Sequence, residues 1–406
     1  MSPVLHMLLY VCFFISIFVV CSNVPRRMVL GDGRWWMDSE KTMDNSKTFR
    51  RRFVAIQSKR VELFYFYVLI SSMIFAFLEG HRYDRGVDWF SYKERYMFCD
   101  YFSEIEQPLY YYIMKFCHFL NFDYIEAFSL YAFWFIFSLI LFIRLLSNVI
   151  KINNWVYFLA LYPMMFHMEN LIREFVAIPF LFFSVIFYVK KQWTWFTLMV
   201  ACSITIHSST LLPLLFFVIF YCINKTIKIK YSITILLLSY TLLRASFVTS
   251  SIFYFLDILH ISSWIPERFS NFIIDSDRWF GADSILADSV KSPVTQFLTF
   301  IFEASVLYVG YYSLRMHNNR IVMCFYNLTM VSFIVTNVFY GFEIVGRLFN
   351  QLYFFWFIPA GYGLIMLSGW RGFLNEVAKY SIYVFPILKI VQFVFFFPDA
   401  LFTWDK

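Results

Sequence analysis

The sequence predicts an all-α, polytopic membrane helical bundle with about twelve transmembrane helices. Of its 406 residues, 60% are apolar and only 15% are charged, whereas a soluble domain is about one quarter charged. The apolar segments are too long for the alternating strands of a membrane barrel. We therefore expect a single integral membrane domain over residues 1–406. Its apolar segments lie at about 4–21, 61–79, 126–147, 155–168, 171–189, 193–206, 210–223, 231–247, 294–313, 321–340, 348–367 and 380–397.

The basic residues predict the orientation of these segments. If 22–60 is a cytoplasmic loop and the segments alternate from there, ten lysines and arginines lie in that loop and eleven in the other inner loops. This arrangement places 21 of the 34 basic residues on one side, in agreement with the positive-inside rule. The same alternation makes 80–125 and 248–293 outer loops. It also makes 4–21 a retained first helix with its N-terminus outside.

The orientation requires that one short apolar segment, "PLYYYIMKFCHFL" at 108–120, does not cross the membrane. This segment includes Lys115 and His118 and is too short to span a bilayer upright. We predict that it forms a re-entrant helix or an amphipathic helix lying on the membrane surface. If it crossed, every later loop would change sides and most basic residues would lie outside.

Charge and cysteine content argue against two other classes of protein. The net charge of +7 does not indicate nucleic-acid binding, because the basic residues lie in short loops between apolar segments. The seven cysteines are scattered, mostly within apolar segments, and they have neither metal-ligand spacing nor the even number typical of a disulfide framework. We expect them to pack as small apolar side chains, and we predict no metal and no other cofactor.

Polar residues at the membrane boundaries collect on the predicted outer side. The densest group is "HRYDRGVDWFSY" at 81–92, in which guanidinium groups can bind phosphate oxygens in bidentate fashion and aromatic rings can stack on sugars. Four other segments bring acids, bases and cations to the same boundary. The candidate site residues are Arg82, Arg85, Asp88, Trp89, Tyr92, Glu106, Asn170, Arg173, Glu174, His207, Glu343 and Arg347.

Two of these groups have an equally simple structural explanation. Arg173 shares a helical face with Asn170, whereas Glu174 lies about 100° around the helix and cannot pair with it. Arg173 could therefore be a boundary arginine whose stem lies in lipid and whose head extends to water. Glu343 and Arg347 are four residues apart, so they could form an ion pair within one helix.

The remaining groups also leave alternatives open. His207 precedes two serines and could simply start a helix that one of them caps. Residues 81–92 could be an interfacial loop whose aromatic residues form a membrane belt. The outer stretch 248–293 could cover the site, or it could be a plain tether.

Five motifs in this order resemble those of the EpsG family of bacterial polysaccharide polymerases, also called Wzy-like proteins. They are "RYDRGVDWFSY", "EQPLYYYIMKF", "NLIREFVAIPF", "IHSSTLLPL" and "GRLFNQLYFF". Together they extend over most of the chain. The sequence departs from the family pattern at Gln107, which separates Glu106 from Pro108, at Glu174 in place of the usual glutamine, and at Ser209 in place of a small alanine.

The resemblance implies a GT-C-like glycosyltransferase in the bacterial inner membrane, with its active face outward. Such an enzyme would extend capsule, exopolysaccharide or O-antigen chains by joining oligosaccharide repeat units carried on undecaprenyl pyrophosphate. The expected partners are that lipid-linked oligosaccharide and the lipid bilayer. Flippase and chain-length regulator proteins are further candidate partners, and nucleic acid is not expected.

This chemistry needs a cation that holds the pyrophosphate leaving group and stabilises the charge that develops on it. We expect Arg173 and Arg347 to bind pyrophosphate, with Arg82 assisting. The chemistry does not require a metal ion here, since no pair of carboxylates is close enough in sequence to demand one.

The reaction also needs a base that accepts the proton of the acceptor hydroxyl. Asp88 is the first choice, because it lies in the first large outer loop, where GT-C-like enzymes commonly place a catalytic carboxylate. His207 is the second choice, because an unperturbed histidine titrates near neutral pH. Glu106 would orient the acceptor or the base.

The main competing function is a flippase or exporter of lipid-linked oligosaccharide. It would need the same polar residues outside, but also polar residues through the helix centres and on the inner side, and few are present. A membrane acyltransferase would require a histidine deep within a helix beside another polar residue. A non-catalytic scaffold would tolerate Arg173→Ala and Asp88→Ala.

Overall fold

A computed structural model describes residues 3–25, 46–83, 88–101, 107–168, 172–241, 292–339, 349–395 and 401–402. These residues are almost all helical, with short 3-10 turns at Cys99–Tyr101 and Ser208–Thr210. The elements in chain order are α1 (Pro3–Ser22), α2 (Ser46–Gly80), β1 (Arg82–Tyr83), α3 (Trp89–Met97), α4 (Pro108–Phe119), α5 (Tyr124–Ser147), α6 (Val156–Leu159), α7 (Leu161–Met168), α8 (Ile172–Val189), α9 (Trp193–Ile206), α10 (Leu211–Ile223), α11 (Ile229–Thr241), α12 (Pro293–Met316), α13 (Arg320–Val338), α14 (Phe357–Met366), α15 (Phe373–Phe395) and β2 (Leu401–Phe402).

Six helical segments of the described chain are long and apolar enough to cross a membrane. The prediction of a polytopic helical membrane protein is therefore confirmed, whereas the number of twelve crossings stays a prediction. The helix expected at 108–120 is present as α4, with 12 residues, and its re-entrant or interfacial position also stays a prediction. The six segments are Arg60–Gly80, Tyr124–Ser147, Ile172–Val189, Pro293–Met316, Arg320–Val338 and Phe373–Val394.

Two predicted apolar segments are not continuous helices. The segment at 155–168 is divided into α6 and α7, and Tyr162 has the non-helical angles φ −92° and ψ 132°. Tyr162 directly precedes Pro163, and a residue before proline is disfavoured in the α conformation because its backbone clashes with the ring. The segment at 348–367 is interrupted by a turn at 354–356 before α14 begins.

The chain divides into two compact units. The first contains residues 1–207 and 391–406, and the second contains residues 208–390. The single integral membrane domain and the loop assignments at 22–60, 80–125 and 248–293 stay predictions. Almost all of 248–293 lies outside the described residues.

The core of the first unit is built from α1, α2, α5, α8 and α9. The end of α2 comes very close to α5 at Gly80. A Cβ atom at Gly80 would collide with the Ser129 hydroxyl and would lie 2.8 Å from the carbonyl oxygen of Ile125. Glycine is therefore required where the chain leaves α2 and enters the charged segment at 81–92.

Two short helices, α3 and α4, lie between α2 and α5 in the chain. The turn from α4 to α5 contains Asn121, which has a left-handed φ of 58°, a conformation that asparagine tolerates better than most residues. A capping box then starts α5. The Asp123 carboxylate accepts hydrogen bonds from the backbone N–H groups of Ile125 and Glu126 at 2.7 and 3.1 Å, and the Glu126 carboxylate accepts one from the Asp123 N–H at 2.7 Å. This cap fixes the point at which the segment that contains α3 and α4 joins a long apolar helix.

The second unit packs α12 against α11, α13 and α14, and α10 against α13. Helices α12 and α14 approach closely at Gly363, where a Cβ atom would collide with the Val309 side chain and lie 2.8 Å from the Val309 carbonyl oxygen. Such small residues allow close approach of helices in lipid, where association depends on packing and on interhelical hydrogen bonds.

Candidate functional site

The helical hairpin of α8 and α9 brings Arg173 and His207 to the same end of the pair. The Ser203 hydroxyl of α9 donates a hydrogen bond to the Ala177 carbonyl of α8 over 3.1 Å. Arg173 lies one turn before Ala177 and His207 one turn after Ser203. Because α8 and α9 are antiparallel, one turn back along α8 and one turn forward along α9 both lead to the same end of the hairpin.

Arg173 is held by two groups that carry no charge. Its Nη1 donates to the side-chain oxygen of Gln107 at 3.0 Å, and its guanidinium carbon lies 5.5 Å from the centre of the Tyr92 ring. Its Nε is buried and has no hydrogen-bond partner within the described part of the chain. Among those residues no carboxylate forms an ion pair with it, so its described partners orient the positive charge without neutralising it.

His207 ends α9 in an extended conformation, and its N–H donates to the Ser203 carbonyl at 2.9 Å. Burial, together with the charge of Arg173, lowers the pKa of His207 to about 4. The imidazole is therefore neutral at pH 7, and it has a lone pair that can accept a proton. The positive charge of Arg173 thus contributes to the low pKa of His207.

Asp88 stands at the N-terminal boundary of α3, one turn before Tyr92. Its carbonyl oxygen accepts the Tyr92 N–H at 3.0 Å, and its side chain does not cap the helix. Asp88 is half-buried, whereas Tyr92 is buried beneath the Arg173 guanidinium. Asp88, the predicted base, is therefore one helical turn from Tyr92. The Tyr92 ring in turn contacts Arg173, the predicted phosphate-binding cation.

Trp89 is fully buried, with 0% of its side chain exposed. Its ring packs against those of Tyr83, Phe90 and Tyr124, with centroid distances of 4.8, 4.9 and 5.9 Å. The Lys93 ammonium lies over the same group of rings, 5.2 Å from Trp89 and 4.6 Å from Tyr124. Stacking of Trp89 on a sugar stays a prediction, and in this structure the ring instead fixes the start of α3.

Further contacts join α3 to α4 and to the turn that follows it. The Tyr96 hydroxyl donates to the Phe122 carbonyl at 2.7 Å, and a ring nitrogen of His118 is 2.8 Å from the Tyr96 carbonyl. An ion pair connects Lys115 with Asp100. These contacts pack α3, which contains Tyr92, together with α4, which Gln107 directly precedes.

Arg82 is buried and pairs with Glu79 at 3.3 Å. It lies in β1, which pairs in antiparallel register with β2, so that Arg82 is opposite Phe402. Its Nε has no hydrogen-bond partner within the described part of the chain. The predicted contribution of Arg82 to pyrophosphate binding stays a prediction, and its described partner is a carboxylate, unlike the partners of Arg173.

Glu174 is buried, whereas the adjacent Arg173 is half-buried. The five remaining predicted site residues lie outside the described residues, and their roles stay predictions. They are Arg85, Glu106, Asn170, Glu343 and Arg347.

Sequence reasoning missed three residues that the structure brings forward. Gln107 stands out in the sequence only as a departure from a motif, although it is the hydrogen-bond acceptor of Arg173. Glu79, the partner of Arg82, is in sequence terms only the last residue of an apolar segment. Glu303 is a single acid within an apolar segment, which is the signal that identifies functional residues in membranes.

The described part of the chain contains no candidate metal-binding cluster. There, no three histidine, cysteine, aspartate or glutamate side chains come together as the ligands of a metal ion would.

Six described helical segments are long and apolar enough to cross a membrane, and Arg173 and the neutral His207 lie at one end of the hairpin of α8 and α9. The six segments define a polytopic helical membrane protein. The chain belongs to the EpsG family, whose family model matches residues 65–402. Membership implies a membrane protein that resembles a polysaccharide polymerase of the glycosyltransferase type. No curated protein and no solved structure matches the chain.

Proposed function

We propose that this protein joins oligosaccharide repeat units carried on undecaprenyl pyrophosphate, on the outer face of a bacterial inner membrane. The product would be a capsule, exopolysaccharide or O-antigen chain. Family membership supports the reaction class, and one structural observation carries the proposal. Arg173, at the mouth of an apolar helix, is oriented by a neutral amide and an aromatic ring and has no ion-pair partner among the described residues.

In this reaction the hydroxyl oxygen of the acceptor repeat attacks the anomeric carbon of the donor. The new glycosidic C–O bond forms while the bond between the anomeric carbon and the pyrophosphate oxygen breaks. Undecaprenyl pyrophosphate leaves with the bonding electron pair, and the hydroxyl proton passes to a base. The energy is supplied by the pyrophosphate linkage, so the reaction needs no nucleotide sugar.

Arg173 would stabilise the leaving group. The charge on pyrophosphate grows as the anomeric bond breaks, and a fixed guanidinium can bind two phosphate oxygens at once. A prearranged donor of this kind contributes about 10²–10³-fold to a rate. The aromatic ring of Tyr92 restrains the guanidinium without competing for its charge.

Asp88 and His207 are the two candidate bases. His207 is neutral at pH 7 because burial and the Arg173 charge lower its pKa to about 4. A diphosphate bound to Arg173 would offset that charge and make the imidazole more basic, so proton acceptance would follow substrate binding. Asp88, at the N-terminal boundary of α3, would supply a carboxylate instead of an imidazole.

The test is polymerisation by purified protein in liposomes. The substrate is the undecaprenyl-pyrophosphate-linked repeat unit, isolated from a strain that lacks the polymerase, and no nucleotide sugar is added. We expect the wild-type protein to produce a ladder of longer lipid-linked chains on a gel. Transport of the lipid-linked oligosaccharide across the bilayer without lengthening would instead identify an exporter.

The contribution of Arg173 is tested by Arg173→Lys, which keeps a positive charge but loses the planar fork. We expect polymerisation to fall about 100-fold. Arg144→Lys is the matched control, because Arg144 is a boundary arginine of α5 whose described hydrogen bonds are to the Pro25 carbonyl and the Ser147 hydroxyl. Equal activity of both variants would mean that Arg173 only anchors its helix in the membrane.

A further inference from the structure

The second unit contains a carboxylate buried within an apolar helix. Glu303 lies in the N-terminal half of α12, one of the segments able to cross a membrane, and its side chain is 2% exposed. An ionised group in this environment is costly, and such residues in membrane helices are usually functional. The reaction proposed above makes no use of Glu303.

Two neutral donors converge on one oxygen of this carboxylate. Glu303 Oε2 accepts a hydrogen bond from the Tyr240 hydroxyl at 3.0 Å and another from the Asn337 side-chain amide at 2.8 Å. The same Asn337 nitrogen also donates to the Phe333 carbonyl at 2.7 Å, which fixes the orientation of the amide. The three polar side chains come from three different helices, α11, α12 and α13.

The cluster lies near the end of one of these helices, because Asn337 is the penultimate residue of α13. Tyr240 is half-buried, and its ring packs against Phe300 with a centroid distance of 5.4 Å. The carboxylate thus lies in a cluster near the end of α13 and contacts a tyrosine whose ring packs on a second aromatic ring.

Helix packing alone does not require an acid at this position. Neutral polar side chains can join helices in lipid, whereas a buried carboxylate has a much larger desolvation penalty. A carboxylate, an amide and a phenolic hydroxyl together can both accept and donate hydrogen bonds. A few such groups beside apolar rings are the features that orient a small polar ligand in a largely apolar site.

We infer that Glu303, Tyr240 and Asn337 form a subsite that binds the hydroxyl groups of the saccharide carried by the lipid-linked substrate. This inference rests on the proposed function, since that function supplies the ligand. Glu303 accepts hydrogen bonds from sugar hydroxyls, and Asn337 and Tyr240 hold its carboxylate in position. The subsite recognises the glycan and not the pyrophosphate, because a carboxylate repels an anion.

The experiment compares two probes bound to the full-length protein in lipid nanodiscs. One probe is undecaprenyl pyrophosphate without sugar, and the other is undecaprenyl pyrophosphate carrying the repeat unit, isolated from a strain that lacks the polymerase. Binding is measured by microscale thermophoresis. We expect Glu303→Gln to weaken binding of the sugar-bearing lipid about tenfold, as loss of a charged hydrogen bond does, and to leave binding of the sugar-free lipid unchanged.

Two further variants keep this test decisive. Tyr240→Phe removes one hydroxyl without changing the ring, so it replaces Glu303→Gln if that variant does not fold, and it should also weaken only the sugar-bearing probe. Glu376→Gln is the matched control, because Glu376 lies on α15 and pairs with Lys379 at 3.0 Å. Wild-type affinity of Glu303→Gln and Tyr240→Phe for the sugar-bearing lipid would overturn the subsite.

The same preparations separate failure of the subsite from failure of the proposed function. If the wild-type protein does not lengthen chains but Glu303→Gln loses sugar-dependent affinity, the subsite stands and the polymerase reaction does not. If the wild-type protein lengthens chains and Glu303→Gln binds the sugar-bearing lipid equally well, the reaction stands and the subsite does not.

Discussion

Arg173 donates a 3.0 Å hydrogen bond to the side chain of Gln107, which is 66 residues earlier in the chain. Gln107 directly precedes α4, whose first residue is Pro108. The bond therefore connects the start of a short helix to the described start of a long apolar helix. Because the acceptor is a neutral amide, it uses one of the five guanidinium donors and leaves the positive charge available.

Gln107→Glu tests whether that neutrality matters. A carboxylate at this position would form an ion pair with Arg173 and compete with pyrophosphate for the guanidinium. We expect the KM for the lipid-linked repeat unit to rise about tenfold, the effect of roughly 1.4 kcal/mol of competing interaction. Initial rates of chain extension at increasing substrate concentration would measure it.

Gln107→Ala is the control for this change. It removes the hydrogen bond but keeps the cation, so we expect a smaller increase in KM than for Gln107→Glu. An unchanged KM in the glutamate variant would show that the charge of Arg173 is not used in substrate binding.

The second prediction concerns stability at acidic pH. Burial and the Arg173 charge lower the pKa of His207 to about 4, whereas an unfolded histidine has a pKa of about 6.5. Between these values the unfolded state binds more protons, so the free energy of unfolding rises with pH. The contribution of the neutral His207 to the free energy of unfolding is fully present above pH ~6.5 and is lost as the pH falls toward 4. Between pH 7 and pH 5 the loss is about 2 kcal/mol.

His207→Asn should remove this part of the pH dependence. Thermal unfolding in detergent at pH 7 and pH 5 gives the comparison, and the wild-type Tm should fall more than that of the variant. Arg173→Gln should reduce the difference only partly, because burial is the larger cause of the lowered pKa. Equal pH dependence in the wild type and His207→Asn would contradict the assignment.

The third prediction concerns the close approach of α2 and α5. A methyl group at Gly80 would collide with the Ser129 hydroxyl and crowd the Ile125 carbonyl. We expect Gly80→Ala to destabilise the protein by about 1–3 kcal/mol and to lower polymerisation, because the chain continues directly into the segment at 81–92. Thermal unfolding and chain extension would be measured on the same samples.

Gly369→Ala is the matched control, since a Cβ atom there meets nothing within 4 Å. Adding Ser129→Gly to Gly80→Ala should recover only part of the stability, because the Ile125 backbone cannot be removed. Wild-type stability of Gly80→Ala would refute this account of the helix contact.

The fourth prediction uses a buried amide in the second unit. The Gln351 side-chain nitrogen donates to the Ser209 hydroxyl at 2.7 Å, and Gln351 is 1% exposed. Its oxygen has no hydrogen-bond partner within the described part of the chain. Ser209→Ala would leave both ends of the amide without a partner, so we expect a loss of about 1–3 kcal/mol.

Adding Gln351→Leu should reverse much of this loss, because the double variant no longer buries the Gln351 amide. The two substitutions should therefore be strongly non-additive, and thermal unfolding of the two single variants and the double variant would measure the coupling. Simple additivity would mean that the two side chains do not depend on each other.

Arg173 and His207 could be found from the sequence because they are polar residues at the ends of apolar segments. Their meeting could also be predicted, since a tight turn makes the two helices antiparallel. Gln107 could not, because a neutral amide beside a proline has no distinctive signal, and only the packing of α3 and α4 brings it to Arg173.

Other features had a signal that was given too little weight. The break at Tyr162 follows from the proline after it, although the hydropathy of 155–168 favours one helix. Glu303 is visible as a single acid in an apolar segment, but its two donors come from helices far apart in sequence. The chemistry of Trp89 suits sugar stacking, whereas its burial depends on rings contributed by other segments, which its own sequence neighbourhood does not reveal.

The pairing of β1 with β2 places residues 401–402 within backbone hydrogen-bonding distance of Arg82. Strands joined in this way are about 5 Å apart, so no bilayer can separate them. A reporter enzyme attached just after Phe402 would therefore reveal which compartment Arg82 faces. That single fusion would orient the first unit without any assumption about the number of crossings.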